Sequence, residues 1–321
     1  AIAFHQGRYI TARSEESVLK EAEEMIQSPR FKGYIHDIGG PTADFRAPSC
    51  EWQKTHGLCK NRKCLSPTPC KNLVSDHREY LDILRKVRAL PGVKRVFVRS
   101  GLRFDYLLCD KDETFFRELV QHHVSGQLKV APEHCVAHTL DYMGKPHIEV
   151  YEKFREKYFK LNRRYGKDQY LVPYLMSSHP GCTLADAVKL AEWLNKSGRQ
   201  PEQVQDFYPT PGTLSTCMYY TGLDPRTMQP VYIPKSPHEK ELQRALLQWK
   251  RPEKRRLVME ALHKAGREDL IGYGPQCLLR PSKAAAPAKP AAGKRGQSTA
   301  PAHKKGKSPT RPGRGPRRKH R

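Results

Sequence analysis

The chain has 321 residues and a formal net charge of +25, which allows one large folded domain with appendages. Residues 281–321 hold seven Lys and six Arg without an acid, so this tail carries more than half of the net charge. No apolar run of about 18 residues occurs, which excludes a membrane-spanning helix. Nine Cys without a secretory leader lead us to expect a cytoplasmic setting, where clustered thiols favour metal ligation.

Apolar residues at helical spacing alternate with short apolar runs between Ser14 and Tyr208. Ser14 is a good N-cap for the first helix, and Pro29 ends it. Thr183, with Asp186 three residues later, predicts a capping box at the start of a later helix. Five strands are predicted, at residues 34–38, 93–99, 128–131, 169–176 and 203–208.

The alternation of strands with helices predicts right-handed βαβ units and a parallel sheet. In such folds the chemistry lies at the carboxyl ends of the strands. Polar or Gly/Pro-rich residues follow each predicted strand, so we expect these exits to form the rim of one site. Because the series starts with a helix and the chain with Ala1, we also expect a strand upstream.

The pattern changes after Thr221. Ser236 and Glu239 predict a second capping box, and another helix starts at Pro252, which together suggest a small helical appendage. Beyond Pro281 the Ala/Pro/Lys/Gly composition has too little apolar surface to offset the entropy of ordering the chain. We therefore predict that the tail is disordered.

Four motifs occur in a fixed order along the chain: AIAFHQGR from Ala1, DIGGPT from Asp37, KVAPEH from Lys129 and FYPTP from Phe207. On these motifs, residues 1–274 resemble the YgiQ-type radical SAM proteins of the UPF0313 family. The resemblance implies an α/β fold, namely a partial (β/α)6 TIM-like barrel of the radical SAM type. Three parts are then expected: a truncated barrel at 1–200 with a Cys-rich insert at 50–70, a last strand and helical region at 201–280, and the tail at 281–321.

In that family a C-x3-C-x2-C loop after the first strand holds a [4Fe–4S] cluster, which binds S-adenosylmethionine. The resemblance implies that a flavodoxin or ferredoxin donates an electron and that a 5′-deoxyadenosyl radical then attacks an unknown substrate. None of the nine Cys has this spacing. We therefore expect the cluster cysteines, and the first barrel strand, to lie upstream of Ala1, and the fragment alone to be inactive.

The resemblance also assigns cofactor-binding residues. Gly39 and Gly40 match the glycine pair that receives the methionine amino group, and the absence of a Cβ allows that close approach. Lys129 and Glu133 lie on the strand that contacts the methionine carboxylate and the ribose, for which a cation and a carboxylate are suitable partners. His179 lies where the family makes backbone contacts to the adenine side.

Simpler interpretations remain open for the same residues. The glycine pair can be a tight turn, and Lys129 with Glu133 can be a surface ion pair worth at most about 1 kcal/mol. His134 and His179 can be packing or capping histidines.

A second group of cysteines consists of Cys50, Cys59, Cys64 and Cys70, which fall within 21 residues of a loop poor in apolar residues. Their spacing is not a zinc-finger pair, but a bound metal would stabilise a loop that has little else to hold it. An auxiliary iron–sulfur cluster, a zinc ion and reduced thiols in a mobile loop all remain open. The other five Cys are scattered and are expected to be small buried residues.

Two functions are considered, the first implied by the resemblance and the second by the charge of the tail. The first is the C-terminal part of a radical SAM enzyme whose substrate the sequence does not name. The second is a nucleic-acid-binding protein, or an RNA-modifying enzyme, that uses the 13 cations of the tail. Lys/Arg tails are commonly solvated and carry no sequence readout, which favours the first function.

Overall fold

A computed structural model describes residues 11–39, 44–57, 59, 62–198, 200–201 and 204–281, and the compact unit that contains them ends at Pro281. The predicted disordered tail lies outside the described residues. Among the described residues, no helix combines the length and the apolar character needed to cross a membrane.

The elements alternate as the sequence predicts. In chain order the α-helices are α1 (Glu15–Ile26), α2 (Glu51–His56), α3 (Arg78–Ala89), α4 (Phe104–Leu107), α5 (Thr114–Glu118), α6 (Ala137–Met143), α7 (Ile148–Arg164), α8 (Leu184–Ser197), α9 (Leu214–Thr221), α10 (Pro237–Leu247) and α11 (Arg255–Lys264). A π-helical turn, Leu119–His123, continues α5. The strands are β1 (Tyr34–Ile35), β2 (Arg95–Val96), β3 (Gln127–Glu133), β4 (Tyr170–Ser177) and β5 (Gln205–Asp206).

Two of the predicted helix starts are confirmed. The Ser14 hydroxyl accepts a hydrogen bond from the Ser17 N–H at the start of α1. At the start of α8, Thr183 and Asp186 form the reciprocal capping box. The start of α10 is also confirmed, with Ser236 at the N-cap and Pro237 at the first helical position, but its predicted capping box is wrong, because the Ser236 side chain makes no capping hydrogen bond.

The strands are parallel and pair in chain order. β1 pairs with β2, and β3, β4 and β5 form a second sheet in that order. A single parallel bridge between Leu102 and Val130 joins the two sheets. The resemblance implies a partial barrel, but the described strands form two short sheets that do not close into one. β1, β2 and β5 are only two residues long, although backbone hydrogen bonds such as that from the Ile38 N–H to the Phe97 carbonyl continue the contact between β1 and β2.

Two apolar cores lie beside the sheets. The first packs α3, α5 and α7 against β2 and β3, with Phe116 and Phe154 stacked at 5.3 Å between ring centroids. The second packs α8, α10 and α11 together and includes Leu246, which is fully buried. The predicted appendage therefore shares a core with α8, so the elements after Thr221 also shape the β4 end of the sheet.

Candidate functional site

The exits of β1 and β2 are tied together by one carboxylate. Asp37 Oδ1 accepts hydrogen bonds from the Arg99 N–H at 2.8 Å and the Ser100 N–H at 3.0 Å. Gly39, two residues after Asp37, lines a cavity of about 370 Å³ next to α1. Gly40 lies outside the described residues. The cavity contacts Gly39 but not Lys129, Glu133 or His179, so it does not by itself define a cofactor pocket.

Arg103, at the β2 exit, forms a two-pronged ion pair with Asp105, with N···O distances of 2.8 and 2.5 Å. Its backbone N–H also binds Asp44 Oδ1 at 3.2 Å. Burial favours the neutral form of Asp105, but the Arg103 guanidinium outweighs this effect and holds the pKa of Asp105 below its usual range. The pair therefore carries both charges at this exit.

The β3 exit places a second pair of opposite charges nearby. Lys145 Nζ lies 3.5 Å from Glu133 Oε1 and donates a hydrogen bond to the Ala131 carbonyl at 3.0 Å. Burial lowers the pKa of Lys145, and the Glu133 carboxylate offsets only part of that effect. Lys129 lies four residues before Glu133, about 13 Å away along the strand. The simpler interpretation, an ion pair of Lys129 with Glu133, is therefore wrong, since Glu133 pairs with Lys145 instead.

Glu133 and Ser178 share an uncommon backbone conformation. Their φ angles are 68° and 62°, in the left-handed region that non-glycine residues adopt at a cost of about 1–3 kcal/mol. They end or follow β3 and β4, and a register shift precedes Glu133. The Ser178 hydroxyl is buried and has no hydrogen-bond partner in the structure.

The histidines that follow these two residues are buried and neutral. His179 Nδ1 donates to the Pro180 carbonyl at 2.7 Å, and its Nε2 accepts from the Ser215 hydroxyl at 2.8 Å. Burial lowers the pKa of His179 to about 4 and that of His134 to about 3. Because both ring nitrogens of His179 are engaged, its side chain packs the loop and only its backbone is available to a ligand.

A third buried histidine behaves in the opposite way. His77 Nδ1 donates to Asp110 Oδ2 at 2.6 Å, and His77 Nε2 lies 3.7 Å from Asp44 Oδ2, too far for a hydrogen bond but close enough for an ion pair. Burial acts to lower the pKa of His77, but the two carboxylates overcome it and raise the pKa above its ordinary value. The imidazole also stacks on Phe115 at 4.7 Å between centroids.

The four predicted metal-ligating cysteines share one loop. Cys50 occupies the N-cap position of α2 without a side-chain capping bond. Cys64 Sγ accepts a hydrogen bond from Gln53 Nε2 at 3.2 Å, and the Cys70 N–H donates to the Cys64 carbonyl at 2.8 Å. Burial raises the pKa of Cys64, and the thiols of Cys50, Cys70 and Cys59 raise it further. The other three thiols are therefore within electrostatic reach of Cys64.

Proximity to Cys64 alone does not make these thiols a metal site, because metal ligands must also converge on one point. No set of three or more metal-binding side chains is assembled anywhere in the part of the chain that the structure describes. Residues 58, 60 and 61 of this loop lie outside that part. Of the scattered cysteines, Cys182 is buried as predicted, whereas Cys217 is exposed, so the prediction for Cys217 is wrong.

Sequence reasoning missed several residues of this edge. Lys145 sits between Gly144 and Pro146 in a turn, a context that carries no signal of a buried cation. His77 and Asp110 are separated by 33 residues, and nothing in their spacing indicates contact. At the carboxyl ends of the strands the structure places two pairs of opposite charges, Arg103 with Asp105 and Lys145 with Glu133. They lie beside the strained exit of β4 at Ser178. Such an edge suits a ligand that carries both a cationic and an anionic group.

Comparison with known proteins shows which family the chain is similar to. A model of a domain of unknown function, DUF3362, matches residues 202–319. A UPF0313 protein of Clostridium perfringens (strain 13 / Type A) is 64% identical over 280 residues, which cover 87% of this chain and 42% of that protein. A UPF0313 protein of Clostridium botulinum (strain 657 / Type Ba4) is 58% identical over 279 residues, covering 87% of this chain and 44% of the relative. The chain thus spans less than half the length of these curated relatives, and within that span it belongs to the UPF0313 family.

Proposed function

We propose that the chain is the C-terminal part of a radical SAM enzyme and that its strand exits hold S-adenosylmethionine in a partial barrel. The observation that carries the proposal is the pair of left-handed residues, Glu133 and Ser178, at the ends of two neighbouring parallel strands. Backbone strain of this kind persists only where the surroundings over-determine it, and it concentrates at ligand sites. The motif residues Gly39 and His179 follow strands at the same edge.

The residues of this edge suit the cofactor chemically. S-adenosylmethionine carries an ammonium, a carboxylate and ribose hydroxyls. Glu133 is an acceptor for hydroxyls, Lys129 and Lys145 are cations for the carboxylate, and Gly39 allows a close backbone approach. His179 would contribute its backbone, since its ring is engaged. When bound beside a reduced iron–sulfur cluster, S-adenosylmethionine supplies a 5′-deoxyadenosyl radical.

We propose further that Cys50, Cys59, Cys64 and Cys70 bind an iron–sulfur cluster or zinc. The mutual effect of the thiols on the pKa of Cys64 supports this, because a cation would relieve the cost of bringing the four together. The alternative function, nucleic-acid binding, depends on the tail, which lies outside the described residues, so it stays a prediction.

The cofactor proposal is tested by Gly39→Val. The protein to use is this chain extended by the residues that precede the matched region in the C. perfringens relative. Reduced with dithionite, it is expected to convert S-adenosylmethionine to 5′-deoxyadenosine, measured by liquid chromatography. Gly39→Val should abolish the product and leave the cluster absorption unchanged, because the β-branched side chain occupies the methionine end of the site.

Two results would contradict the proposal. Absence of product from the parental extended protein with a full cluster would exclude radical SAM activity. Product at the parental rate from Gly39→Val would show that the glycine is only part of a turn.

The metal proposal is tested by elemental analysis of the chain purified without oxygen. About one zinc, or iron with sulfide, is expected per chain. Cys64→Ser should remove the metal, whereas Cys109→Ser, which changes another half-buried cysteine outside the loop, should retain it. Equal metal content in the two variants, or no metal in the parental chain after reconstitution, would favour free thiols.

A further inference from the structure

We name residues 177–182 the β4 exit loop. Several of these residues form hydrogen bonds with residues of the region of unknown function that starts at residue 202. The Ser177 carbonyl accepts the Phe207 N–H at 2.8 Å, and the Ser177 hydroxyl donates to Asp206 Oδ1 at 2.5 Å. The Gly181 N–H donates to the Tyr232 carbonyl at 2.7 Å. Contacts from β5 and from the segment before α10 thus hold both ends of the loop.

Gln243, on α10, spans the middle of the loop. Its side chain is completely buried, its Oε1 accepts the Ser178 N–H at 3.0 Å, and its Nε2 donates to the Cys182 carbonyl at 3.1 Å. The same Nε2 donates to Glu239 Oε1 at 3.3 Å. One amide therefore satisfies a donor and an acceptor of the loop backbone that would otherwise be buried without partners.

The β4 exit loop depends on such contacts with residues outside it. Ser178 adopts a left-handed backbone that its own side chain does not stabilise, because its hydroxyl has no partner in the structure. Gly181 also has a positive φ of 86°, and a Cβ there would lie 2.2 Å from the Tyr142 ring. A glycine adopts a positive φ readily, but Ser178 is in a conformation that a non-glycine residue rarely adopts locally, so tertiary contacts must impose it.

We propose that residues 205–247 of the matched region act as a clamp on the β4 exit loop, with Gln243 as the central positioning residue. The clamp seals His179 between Ser215 and Phe207, whose ring lies 5.1 Å away between centroids. It thereby fixes the backbone of residues 178–182 at the edge where the charged exits lie. This role follows from the contacts of the loop and does not require the radical SAM chemistry.

The test replaces Gln243 with leucine, which keeps the volume and removes all three hydrogen bonds. Amide exchange is measured by NMR or mass spectrometry on the whole chain, together with titration of ¹³C-labelled histidines. In Gln243→Leu the Ser178 and Gly181 amides should exchange about tenfold faster or more. The pKa of His179 should rise from about 4 towards 6.5, because water reaches the released loop.

Two controls separate the clamp from general destabilisation. Gln169→Leu removes another buried amide, just before β4 starts, where Gln169 Nε2 donates to the Val120 carbonyl at 2.9 Å. This variant should leave the Ser178 amide and the pKa of His179 unchanged. His123, whose pKa burial lowers to about 4, should keep that value in Gln243→Leu.

If Gln243→Leu does not fold, Gln243→Glu takes its place. This variant keeps an acceptor for the Ser178 N–H and loses the donor to Cys182, so a smaller acceleration confined to the loop is expected. Parental exchange and a parental pKa of His179 in the folded variant would overturn the proposal. Equal effects from Gln169→Leu would overturn it as well, since they would reflect a global loss of stability.

Discussion

His77 and His179 are both almost completely buried, yet their protonation is shifted in opposite directions. His179 is surrounded by a carbonyl, a hydroxyl and an aromatic ring, so burial lowers its pKa to about 4. For His77 burial acts in the same direction, but the carboxylates of Asp44 and Asp110 outweigh it and the pKa rises. The comparison shows that burial sets the cost of the charge, whereas the neighbouring charges decide whether that cost is met.

The two regions also differ in what they join. In the first half of the chain, the charges of Asp44 and Asp110 hold the segments around these residues against His77. The β4 exit loop is joined to the C-terminal half through hydrogen bonds, most of them between neutral backbone and amide groups. We therefore expect the two regions to respond oppositely to pH.

The largest effect is expected on acidification. The folded-state pKa values of His123, His134 and His179 lie below 6.5, so their contribution to stability is present above that pH and is lost as the pH falls towards about 4. These pKa values lie about 2.5 to 3.5 below 6.5, which corresponds to about 3–5 kcal/mol per residue, and together they approach the whole stability of a domain. Urea unfolding between pH 7 and 4 should show this loss. His134→Gln should flatten the dependence, and an unchanged slope would contradict the assignment.

A smaller effect is expected from Asp110→Asn. The raised pKa of His77 stabilises the fold fully below 6.5, and this contribution is lost as the pH rises through the folded-state value. Removing one carboxylate from a buried pair should cost about 3 kcal/mol at pH 6, measured by urea unfolding, and less at pH 9. Asp112→Asn, at an exposed neighbouring acid, is the matched control and should cost less than about 1 kcal/mol. A penalty for Asp110→Asn that does not depend on pH would argue against a charged His77.

The smallest effect has the opposite sign. Ser178→Gly removes a strained left-handed conformation and a buried hydroxyl without a partner, so it should raise the melting temperature, with a gain of about 1 kcal/mol. Ser177→Gly is the matched change one residue earlier, in regular strand, and should destabilise because it loses the bond to Asp206. A loss of stability in Ser178→Gly would mean that the hydroxyl has a partner that the structure does not show.

The sequence alone determined the order of helices and parallel strands, because hydrophobic periodicity and capping are local properties. The capping box at Thr183 and the N-cap at Ser14 were predictable for this reason. Ser236 looked equally convincing, but Glu239 instead hydrogen-bonds the Tyr232 hydroxyl and Gln243. A local motif fails where a tertiary partner competes for the same side chain.

Only the tertiary structure decided which charges meet. Glu133 pairs with Lys145 rather than Lys129, since residues four apart on a strand are about 13 Å apart whereas a turn can fold back on the strand end. The partnership of His77 with Asp44 and Asp110, and that of Gln243 with residues 178 and 182, joins residues separated by 33 to 65 positions. Contacts between residues so far apart in the chain depend on how the helices and strands pack. The spacing of the residues along the sequence therefore does not predict them.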